Sequence, residues 1–316
     1  MVYIEKKYRF FFDLFMRGSI APFYGKDVRN KLTDEIICSG EENELHNFNN
    51  FNISTVWDIP EYLEVTQKNL NPKIKVTKIK QYTGFLIDLS TFAKPDEFLN
   101  VQLSSRNRKK LRSKIRKLET EHKIRYSFYH GFIDKEEYDR LFLELYNLLE
   151  HRFEEKKMLN NNLGKWDYYQ EIVYPLILEK RASLFVIYDG NKPITIALQF
   201  HLAHTVFSYI QCYDIAYSQY NMGDISMAKR LEWCFENGFN VLDLSMGETD
   251  YKLKWCNHQY NLYFHLFYNS KSISAQYRKN LILGKLKFKQ YLRDKEILGK
   301  LIRLDKIKYQ IKKLTT

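Results

Sequence analysis

Residues 183–213 read SLFVIYDGNKPITIALQFHLAHTVFSYIQCY, and this stretch decides the fold class of the chain. It contains three apolar runs that are separated by turn residues, at residues 183–188, 194–202 and 205–213. The first two runs are joined by DGNKP, and the last two by only Ala203 and His204. Because connections this short join antiparallel neighbours, the stretch predicts a three-stranded antiparallel meander.

The next segment, residues 221–239, reads NMGDISMAKRLEWCFENGF and predicts a helix. The turn residues NMGD open it, and Gly238 is placed to end it. Its apolar positions recur at the spacing of one helix face, at Met227, Leu231, Cys234 and Phe235. A helix N-terminus presents unpaired N–H groups to an anion, and Gly223 would let a phosphate approach the backbone closely. A cofactor with a pyrophosphate group is therefore one reading of this segment, and an ordinary turn is the other.

Residues 240–246, NVLDLSM, predict a fourth strand. Because a helix intervenes, this strand can return parallel to the strand that ends at Tyr213. Where the connection reverses between neighbouring strands, we expect their ends to diverge into a cleft. Asp243 is an acid on a core strand, so it needs a polar partner or a chemical role.

The chain before the meander predicts a strand at residues 83–89 and three helices, at residues 103–119, 135–157 and 166–179. The first helix, LSSRNRKKLRSKIRKLE, has Ser104 or Ser105 as its N-cap and a dense basic face. Cations in a first helical turn are unfavourable for the helix dipole, so we expect a nearby anion or acidic neighbours to offset them.

The net charge of +12 is concentrated at the C-terminal end. Residues 271–316 contain 14 Lys/Arg and 3 Asp/Glu, which is +11, and this leaves 36 against 35, or +1, for residues 1–270. The same segment has one apolar seam, at Ile297, Leu301, Leu304, Ile307, Ile311 and Leu314. We expect Gly284 and Gly299 to divide it into two helical pieces. Such a segment either packs on the body of the protein or lies on an anionic membrane surface.

Several protein classes are excluded by composition. Hydrophobic residues at 45% and aromatic residues at 16% exclude a disordered chain, and the apolar runs are too short to span a bilayer. A secretory signal is not expected, so the predicted location is cytoplasmic, with peripheral association at the inner membrane through the basic segment. The four cysteines form no CxxC pair, and His201 and His204 should point to opposite faces of a strand, so no metal site is predicted.

Five stretches together resemble the bacterial N-acyltransferases of the GNAT superfamily. They are SSRNRKKLRSKIRKLE, LLEHRF, LFVIYDGNKPITIALQF, YIQCYDIAYSQYNMGD and GFNVLDLSMGETDYKLKW, within residues 103–255. They are most similar to the branch associated with cellulose and other polysaccharide biosynthesis, which is related to the Fem-type aminoacyl transferases of peptidoglycan. The most specific part is D-x-x-x-G-E-x-x-Y-K, matched by Asp243, Gly247, Glu248, Tyr251 and Lys252.

The resemblance implies transfer of an acyl group from acyl-CoA, acetyl-CoA or a longer thioester, to an amine. This chemistry needs a proton acceptor for the amine, donors for the developing oxyanion and a proton for the leaving thiolate. The predicted catalytic residues are Asp243 or Glu248 as the base, Tyr213 or Tyr251 as the acid, and Lys252 as a cation for substrate or transition state. The predicted cofactor-binding residues are Arg152, Asp214, Asn221, Gly223 and Asp224. Backbone N–H groups near residues 212–214 are the expected oxyanion donors.

For each of these residues a structural role is the alternative, such as an ion pair between Asp243 and Lys252. Glu248 would then serve only to favour the N-terminus of the short helix that follows it.

The predicted fold class is α/β (α+β), a GNAT-like mixed sheet flanked by helices, with a basic helical C-terminal segment. Its domains are an N-terminal lobe at 1–100, an acyltransferase domain at 101–270 and a basic tail at 271–316. By analogy with Fem-type relatives, the first lobe is a candidate second, degenerate GNAT-like copy in tandem.

The leading function is acyl transfer to a small-molecule amine, namely an amino group of a cell-envelope sugar, lipid or precursor. One alternative is a Fem-like transferase with aminoacyl-tRNA as donor, the only reading with a nucleic-acid partner. The other is a non-catalytic acyltransferase-like module that binds envelope precursors.

Overall fold

The computed structural model describes residues 6–39, 52–298 and 302–315. The strands are β1 (Lys6–Arg9), β2 (Tyr24–Asn30), β3 (Glu35–Ser39), β4 (Ile53–Pro60), β5 (Leu63–Gln67), β6 (Ile74–Asp88), β7 (Ile124–Tyr129), β8 (Ala182–Asp189), β9 (Lys192–Leu202), β10 (Thr205–Tyr213), β11 (Val241–Met246) and β12 (His258–Asn269). The helices are α1 (Phe10–Arg17), α2 (Pro95–Gln102), α3 (Ser105–Glu121), α4 (Lys135–Glu155), α5 (Trp166–Leu178), α6 (Met222–Glu236), α7 (Asp250–Trp255), α8 (Ile273–Asp294) and α9 (Leu304–Thr315). The chain is therefore of the mixed α/β class, as predicted.

The chain divides into two compact units, each built from two separate stretches. Lobe 1 comprises residues 1–86 and 245–302, and lobe 2 comprises residues 87–244 and 303–316. The predicted division was instead into three consecutive segments. In the structure, α8 clusters with lobe 1, whereas α9 clusters with lobe 2.

Lobe 2 contains the predicted meander. β8, β9 and β10 pair in antiparallel fashion, and β11 lies parallel to β10. β7 extends the sheet by pairing antiparallel with β8. The strands are almost wholly buried, which requires cover on both faces of the sheet. The predicted meander and its parallel fourth strand are confirmed.

Helices cover both faces of the lobe 2 sheet. On one face, Leu118 of α3 and Ile225 of α6 belong to a buried cluster with Phe185 and Ala197 of the strands. On the other face, α4 and α5 contact the strands, and Cys212 donates from Sγ to the carbonyl of Leu148 at 3.1 Å. The side chains of β10 therefore alternate between two helical layers.

The basic helix α3 begins as predicted, with Ser104 as its N-cap. The Ser104 hydroxyl accepts from the Asn107 amide at 3.3 Å. Arg108 in the first turn donates to the carbonyls of Asn100, at 3.0 Å, and Leu103, at the C-terminal end of α2. A cation at a helix C-terminus is stabilising, and this offsets its unfavourable place at the start of α3. We expected an anion or acidic neighbours to offset the cations of this turn. For Arg108, backbone carbonyl oxygens take that role.

Lobe 1 contains a sheet in the order β1-β4-β12-β6 and a small sheet in the order β3-β2-β5. The predicted strand at residues 83–89 is the end of the long strand β6. Aromatic stacking fills the core, with Phe23 on Phe267 at 4.1 Å and Trp57 on Phe264 at 5.0 Å between ring centroids. Lobe 1 is therefore held by aromatic pairs across its strands.

The basic C-terminal segment forms two helices, but Gly284 does not separate them. α8 runs from Ile273 to Asp294 through this glycine, so the predicted break at Gly284 is wrong. A glycine costs about 1 kcal/mol in a helix, and this cost does not interrupt α8. Gly299 and Leu301 of the predicted boundary and seam lie outside the described residues, as do the side chains of Leu304 and Leu314. Among the helices that the described residues form, none combines the length and apolar content that a bilayer crossing requires.

Candidate functional site

The strands β10 and β11 diverge after a short paired region. Their register joins Thr205 with Val241 and ends two residues later, where Phe207 faces Asp243. β10 continues to Tyr213, and over this length its ladder partner is β9. The predicted divergence is confirmed, and Asp243 occupies the last paired position at the fork. This carboxyl group is fully buried.

A β-bulge bends β10 directly beyond the fork. The register with β9 shifts between Ser208 and Ile210, so one extra residue is inserted there. Bulges bend the bulged strand and increase its local twist. This bulge directly follows the last residue of β10 that pairs with β11, so it offers a local reason for the end of that pairing.

The bulge is held by Arg230, a fully buried residue of α6. Its guanidinium donates to Ser208 Oγ at 2.7 Å and to Gln211 Oε1 at 2.7 Å, one partner on each side of the bulge. A third bond reaches Gln199 Oε1 of β9 at 3.1 Å. Sequence reasoning missed Arg230, although a cation among the apolar positions Met227, Leu231 and Cys234 was a usable signal.

The backbone N–H groups at the end of β10 differ in availability. The Asp214 amide donates to the Ile194 carbonyl at 2.8 Å, so the expectation that it is an oxyanion donor is wrong. Antiparallel pairing alternates along a strand, and the hydrogen-bonded pair at Asp214 directs the N–H groups of Tyr213 and Gln211 away from β9. These two amides replace Asp214 as candidate donors.

A cavity of about 620 Å³ lies at this end of β10. Two of the predicted site residues, Tyr213 and Asp214, line it together with Glu144, Asn147, Leu148, His151, Lys192 and Ile215. Its volume lies within the range of about 300–1,000 Å³ that is typical of small-molecule sites. We call it the β10 cavity.

Four of the polar lining residues were missed, namely Glu144, Asn147, His151 and Lys192. His151 belongs to the LLEHRF stretch, from which only its neighbour Arg152 was selected. The position of His151 next to Arg152 could therefore have identified it as a candidate site residue. Glu144 and Lys192 come from separate elements, α4 and β9, and no sequence spacing joins them to Tyr213.

Asp214 is committed to two local bonds. It accepts from Lys192 Nζ at 2.7 Å and from the Ala216 amide at 3.0 Å, where it caps a short 3₁₀ turn. Burial acts to raise its pKa, but these hydrogen bonds outweigh burial and lower the pKa. Asp214 is therefore an anion that orients Lys192 at the cavity wall.

Arg152 and Tyr213 are brought into contact. The guanidinium carbon lies 4.3 Å from the centroid of the Tyr213 ring, a cation–π contact. Burial, followed by repulsion from Arg152, lowers the pKa of the neighbouring Lys156. Two cations that lie close enough to repel one another favour an anionic ligand between or beside them.

The first turn of α6 contains the remaining predicted cofactor residues. Asn221 has the left-handed conformation, with φ at 59°, and its carbonyl accepts from the amides of Asp224 and Ile225 at 2.8 and 3.2 Å. The predicted start of this helix is confirmed. Gly223 and Asp224 both lie in its first turn, where the Asp224 carboxylate itself satisfies the helix dipole. A phosphate would share this end of the helix with that carboxylate.

The last three predicted catalytic residues belong to lobe 1. Lys252 donates from Nζ to the carbonyls of Ser245 and Met246, at 3.2 and 2.6 Å, across a turn in which Ser245 and Gly247 have positive φ. Glu248 is exposed and Tyr251 is half-buried at the start of α7. Lys252 therefore stabilises the backbone at the C-terminal end of β11.

The histidine pair of the HxxH stretch takes two different roles. His201 is buried, and its Nε2 is 2.7 Å from Ser183 Oγ, whereas His204 is exposed in the turn between β9 and β10. Within residues 6–39, 52–298 and 302–315, no cluster of three or more His, Cys, Asp or Glu side chains could hold a metal ion.

Residues 105–253 match the family model described as Acetyltransferase (GNAT) domain. A comparison with curated proteins finds no match.

Similar solved structures include three that the chain resembles at low identity. L-PGS from Bacillus licheniformis is 14% identical, with 71% of this chain and 70% of that chain covered and a TM-score of 0.46. FemX is 11% identical, with 65% of each chain covered and a TM-score of 0.44. A tandem GNAT protein from the clavulanic acid biosynthesis pathway is 8% identical, with 68% and 64% covered and a TM-score of 0.36. The predicted mixed sheet flanked by helices is confirmed by the structure, and residues 105–253 are similar to the GNAT acetyltransferase domain.

Proposed function

We propose that the protein is an N-acyltransferase that moves an acyl group from acyl-CoA to an amine. The observation that carries the proposal is the β10 cavity, at the end of the strand that ceases to pair with β11 after Phe207 and Asp243, in a segment that matches the GNAT domain model. The resemblance to the polysaccharide-biosynthesis branch supports an amino group of a cell-envelope sugar, lipid or precursor as acceptor.

The residues present fit an acyl-CoA co-substrate. The β10 cavity has room for the pantetheine arm of acyl-CoA. The nearby cations Arg152, Lys156 and Lys192 are candidates to bind the diphosphate of the coenzyme A. When bound, acyl-CoA supplies the activated acyl group as a thioester. We include the first turn of α6, with Asn221, Gly223 and Asp224, as a second place for phosphate contact.

The chain's own groups perform the remaining tasks. The amides of Tyr213 and Gln211 face away from β9 and would hold negative charge that develops on the acyl oxygen. His151 and Glu144 line the same cavity and are placed to take the proton of the amine. The Tyr213 hydroxyl is a proton source for the departing thiolate. Asp243 and Glu248 remain alternative bases, and Tyr251 and Lys252 remain predicted participants.

Thioester consumption tests the proposal. Purified protein is incubated with acetyl-CoA and longer acyl-CoAs and a panel of amines, and thiol release is measured alongside the mass of each amine. The expected result is amine-dependent thiol release with an acyl-sized mass gain. If none of the amines causes thiol release with any acyl-CoA, the result would favour a non-catalytic binding module.

A second candidate donor is aminoacyl-tRNA, and α3 is the observation that favours it. Six of its cations are exposed on one helix, at Arg106, Lys109, Lys110, Arg112, Arg116 and Lys117. Such a basic face suits a phosphate backbone. Transfer from charged tRNA that is abolished by ribonuclease, together with no acyl-CoA consumption, would establish this donor.

A further inference from the structure

Helix α8 is fixed to lobe 1 along one side. Ala275 is fully buried, and Arg293 donates to the Gln81 carbonyl at 2.8 Å and to the Tyr82 hydroxyl at 3.0 Å. Lys279 Nζ lies 4.9 Å from the centroid of the Tyr268 ring. These contacts set the rotation of the helix about its own axis, so its opposite side has a defined outward direction.

That outward side is apolar. Five large side chains are exposed along it: Ile273 at 86%, Tyr277 at 65%, Leu281 at 55%, Phe288 at 60% and Tyr291 at 55%. At 3.6 residues per turn they fall within an arc of roughly 80° and extend for about 27 Å along the helix. We call this surface the α8 stripe. A soluble surface rarely exposes so continuous an apolar row without a partner.

Cations border the α8 stripe. The same helical geometry places Arg278, Lys285 and Lys289 along one side of it and Lys287 along the other, and all four side chains are exposed. An apolar row between basic residues matches a surface with apolar material beneath an anionic layer.

The charge of this surface also favours an anionic lipid layer over two other partners, a second copy of the chain and a single-stranded nucleic acid. A second copy of the chain would bring the same four cations against one another, which is repulsive. A single-stranded nucleic acid would use Tyr277, Phe288 and Tyr291 for stacking but would leave the aliphatic Ile273 and Leu281 without a role. We infer that the α8 stripe lies on an anionic lipid surface, with its apolar side chains in the headgroup and acyl boundary and its flanking cations at the phosphates.

This assignment differs from the seam that the sequence suggested, since it uses α8 rather than residues 297–314. It is independent of the proposed acyl transfer, because α8 contributes nothing to the β10 cavity. A peripheral location would nevertheless suit an enzyme whose acceptor is an envelope precursor.

Vesicle flotation tests the inference with the full-length protein. Vesicles of phosphatidylcholine alone are compared with vesicles in which about a third of the lipid is phosphatidylglycerol. We expect binding at least about tenfold stronger to the anionic vesicles, and we expect it to weaken as the ionic strength is raised. Equal binding to both vesicles, or no binding to either, overturns the inference.

Two double variants test whether the α8 stripe and its flanking lysines make the contact with the vesicle. Leu281→Gln with Phe288→Gln should lower binding by about tenfold or more, and Lys285→Gln with Lys289→Gln should remove the preference for anionic vesicles. Phe132→Gln is the matched control, because Phe132 is 71% exposed and belongs to lobe 2. Circular dichroism checks that each variant is folded.

Undiminished binding by both double variants places the contact elsewhere and overturns the inference. If the unmodified protein is a dimer in solution and the variant with Leu281→Gln and Phe288→Gln is a monomer, the stripe mediates self-association and the inference is overturned. Binding of a single-stranded oligonucleotide that the apolar double variant loses, together with no vesicle binding, would overturn the inference and assign the stripe to nucleic acid.

Discussion

His151 and Tyr213 meet at the β10 cavity although 62 positions separate their residue numbers, and neither was paired with the other by any motif. A base and an acid on the same wall could act on the two ends of one reaction, the incoming amine and the outgoing thiolate. Tyr213 is held in place by Arg152, whose guanidinium covers one face of its ring.

Replacement of His151 tests its role as proton acceptor. His151→Gln keeps a polar side chain but removes the basic nitrogen, so we expect kcat/KM to fall by about a hundredfold or more. The measurement is thiol release under saturating amine. His204→Gln, which alters an exposed histidine of a turn, should leave the rate within about twofold of the unmodified protein. Equal losses in the two variants would contradict the assignment.

Arg230 is fully buried, and its replacement should lower the free energy of unfolding. Arg230→Met leaves Gln199, Ser208 and Gln211 without the guanidinium donor, so we expect the free energy of unfolding to fall by about 3 kcal/mol. Urea denaturation measures it. Lys229→Met is the matched control on the same helix, and its surface ion pair with Glu232 should cost less than about 1 kcal/mol. A larger loss for Lys229→Met than for Arg230→Met would refute this account.

At the scale of single elements, β6 and β12 depend on a close approach at Gly84. A Cβ atom at Gly84 would lie 2.2 Å from Cζ of Tyr260, a ring that is buried and packs edge-on against Tyr62 at 4.9 Å. Because this ring has little room to move, Gly84→Ala should destabilise the protein by about 1–3 kcal/mol.

A double-mutant cycle isolates that contact. In a Tyr260→Leu background the Gly84→Ala substitution should cost clearly less, because the obstructing ring is absent. Gly164→Ala provides the control, since a Cβ atom there meets no neighbour within 4 Å. Additive costs for Gly84→Ala and Tyr260→Leu would show that the ring is not the obstacle.

The order and pairing of the elements were the most predictable part of the structure. The meander followed from two short turns, and the parallel return of β11 followed from the helix between Tyr213 and Asn240. Gly284 was misread as a break because local propensity does not register distant contacts such as those of Arg293 with Gln81 and Tyr82.

The site was predictable only in part. Tyr213 and Asp214 reach the cavity because strand direction carries them there. Glu144, Lys192 and Arg230 act through partners that are distant in sequence, and no spacing encodes those partners.

For the molecule as a whole, buried histidines should make stability depend on pH. In the unfolded chain His265 binds a proton near its ordinary pKa of 6.5, whereas in the folded protein burial lowers this pKa to about 3. The unfolded state therefore binds more protons between these values, and stability falls as the pH drops below about 6.5. Burial lowers the pKa of His201 in the same direction.

Asp58 acts in the opposite sense over part of this range. Burial raises its pKa from 3.8 to about 6, so between these two pH values the folded protein binds a proton that the unfolded chain does not. The net slope is the sum of these contributions, and His265→Gln should reduce the loss of stability on acidification by up to about 1.4 kcal/mol per pH unit. Urea denaturation at about pH 7.5 and about pH 5.5 measures this slope. An unchanged slope in the variant would mean that His265 does not carry the proton linkage.

The central claim is that the acyl donor occupies the β10 cavity, and calorimetric titration with coenzyme A tests it most directly. Asn147→Trp places a large side chain in the lining of the β10 cavity, whereas Leu143→Trp adds the same ring at an exposed position on the same helix. The account predicts that Leu143→Trp binds coenzyme A like the unmodified protein and that Asn147→Trp binds it at least about tenfold more weakly. Equal affinity in all three proteins would contradict it.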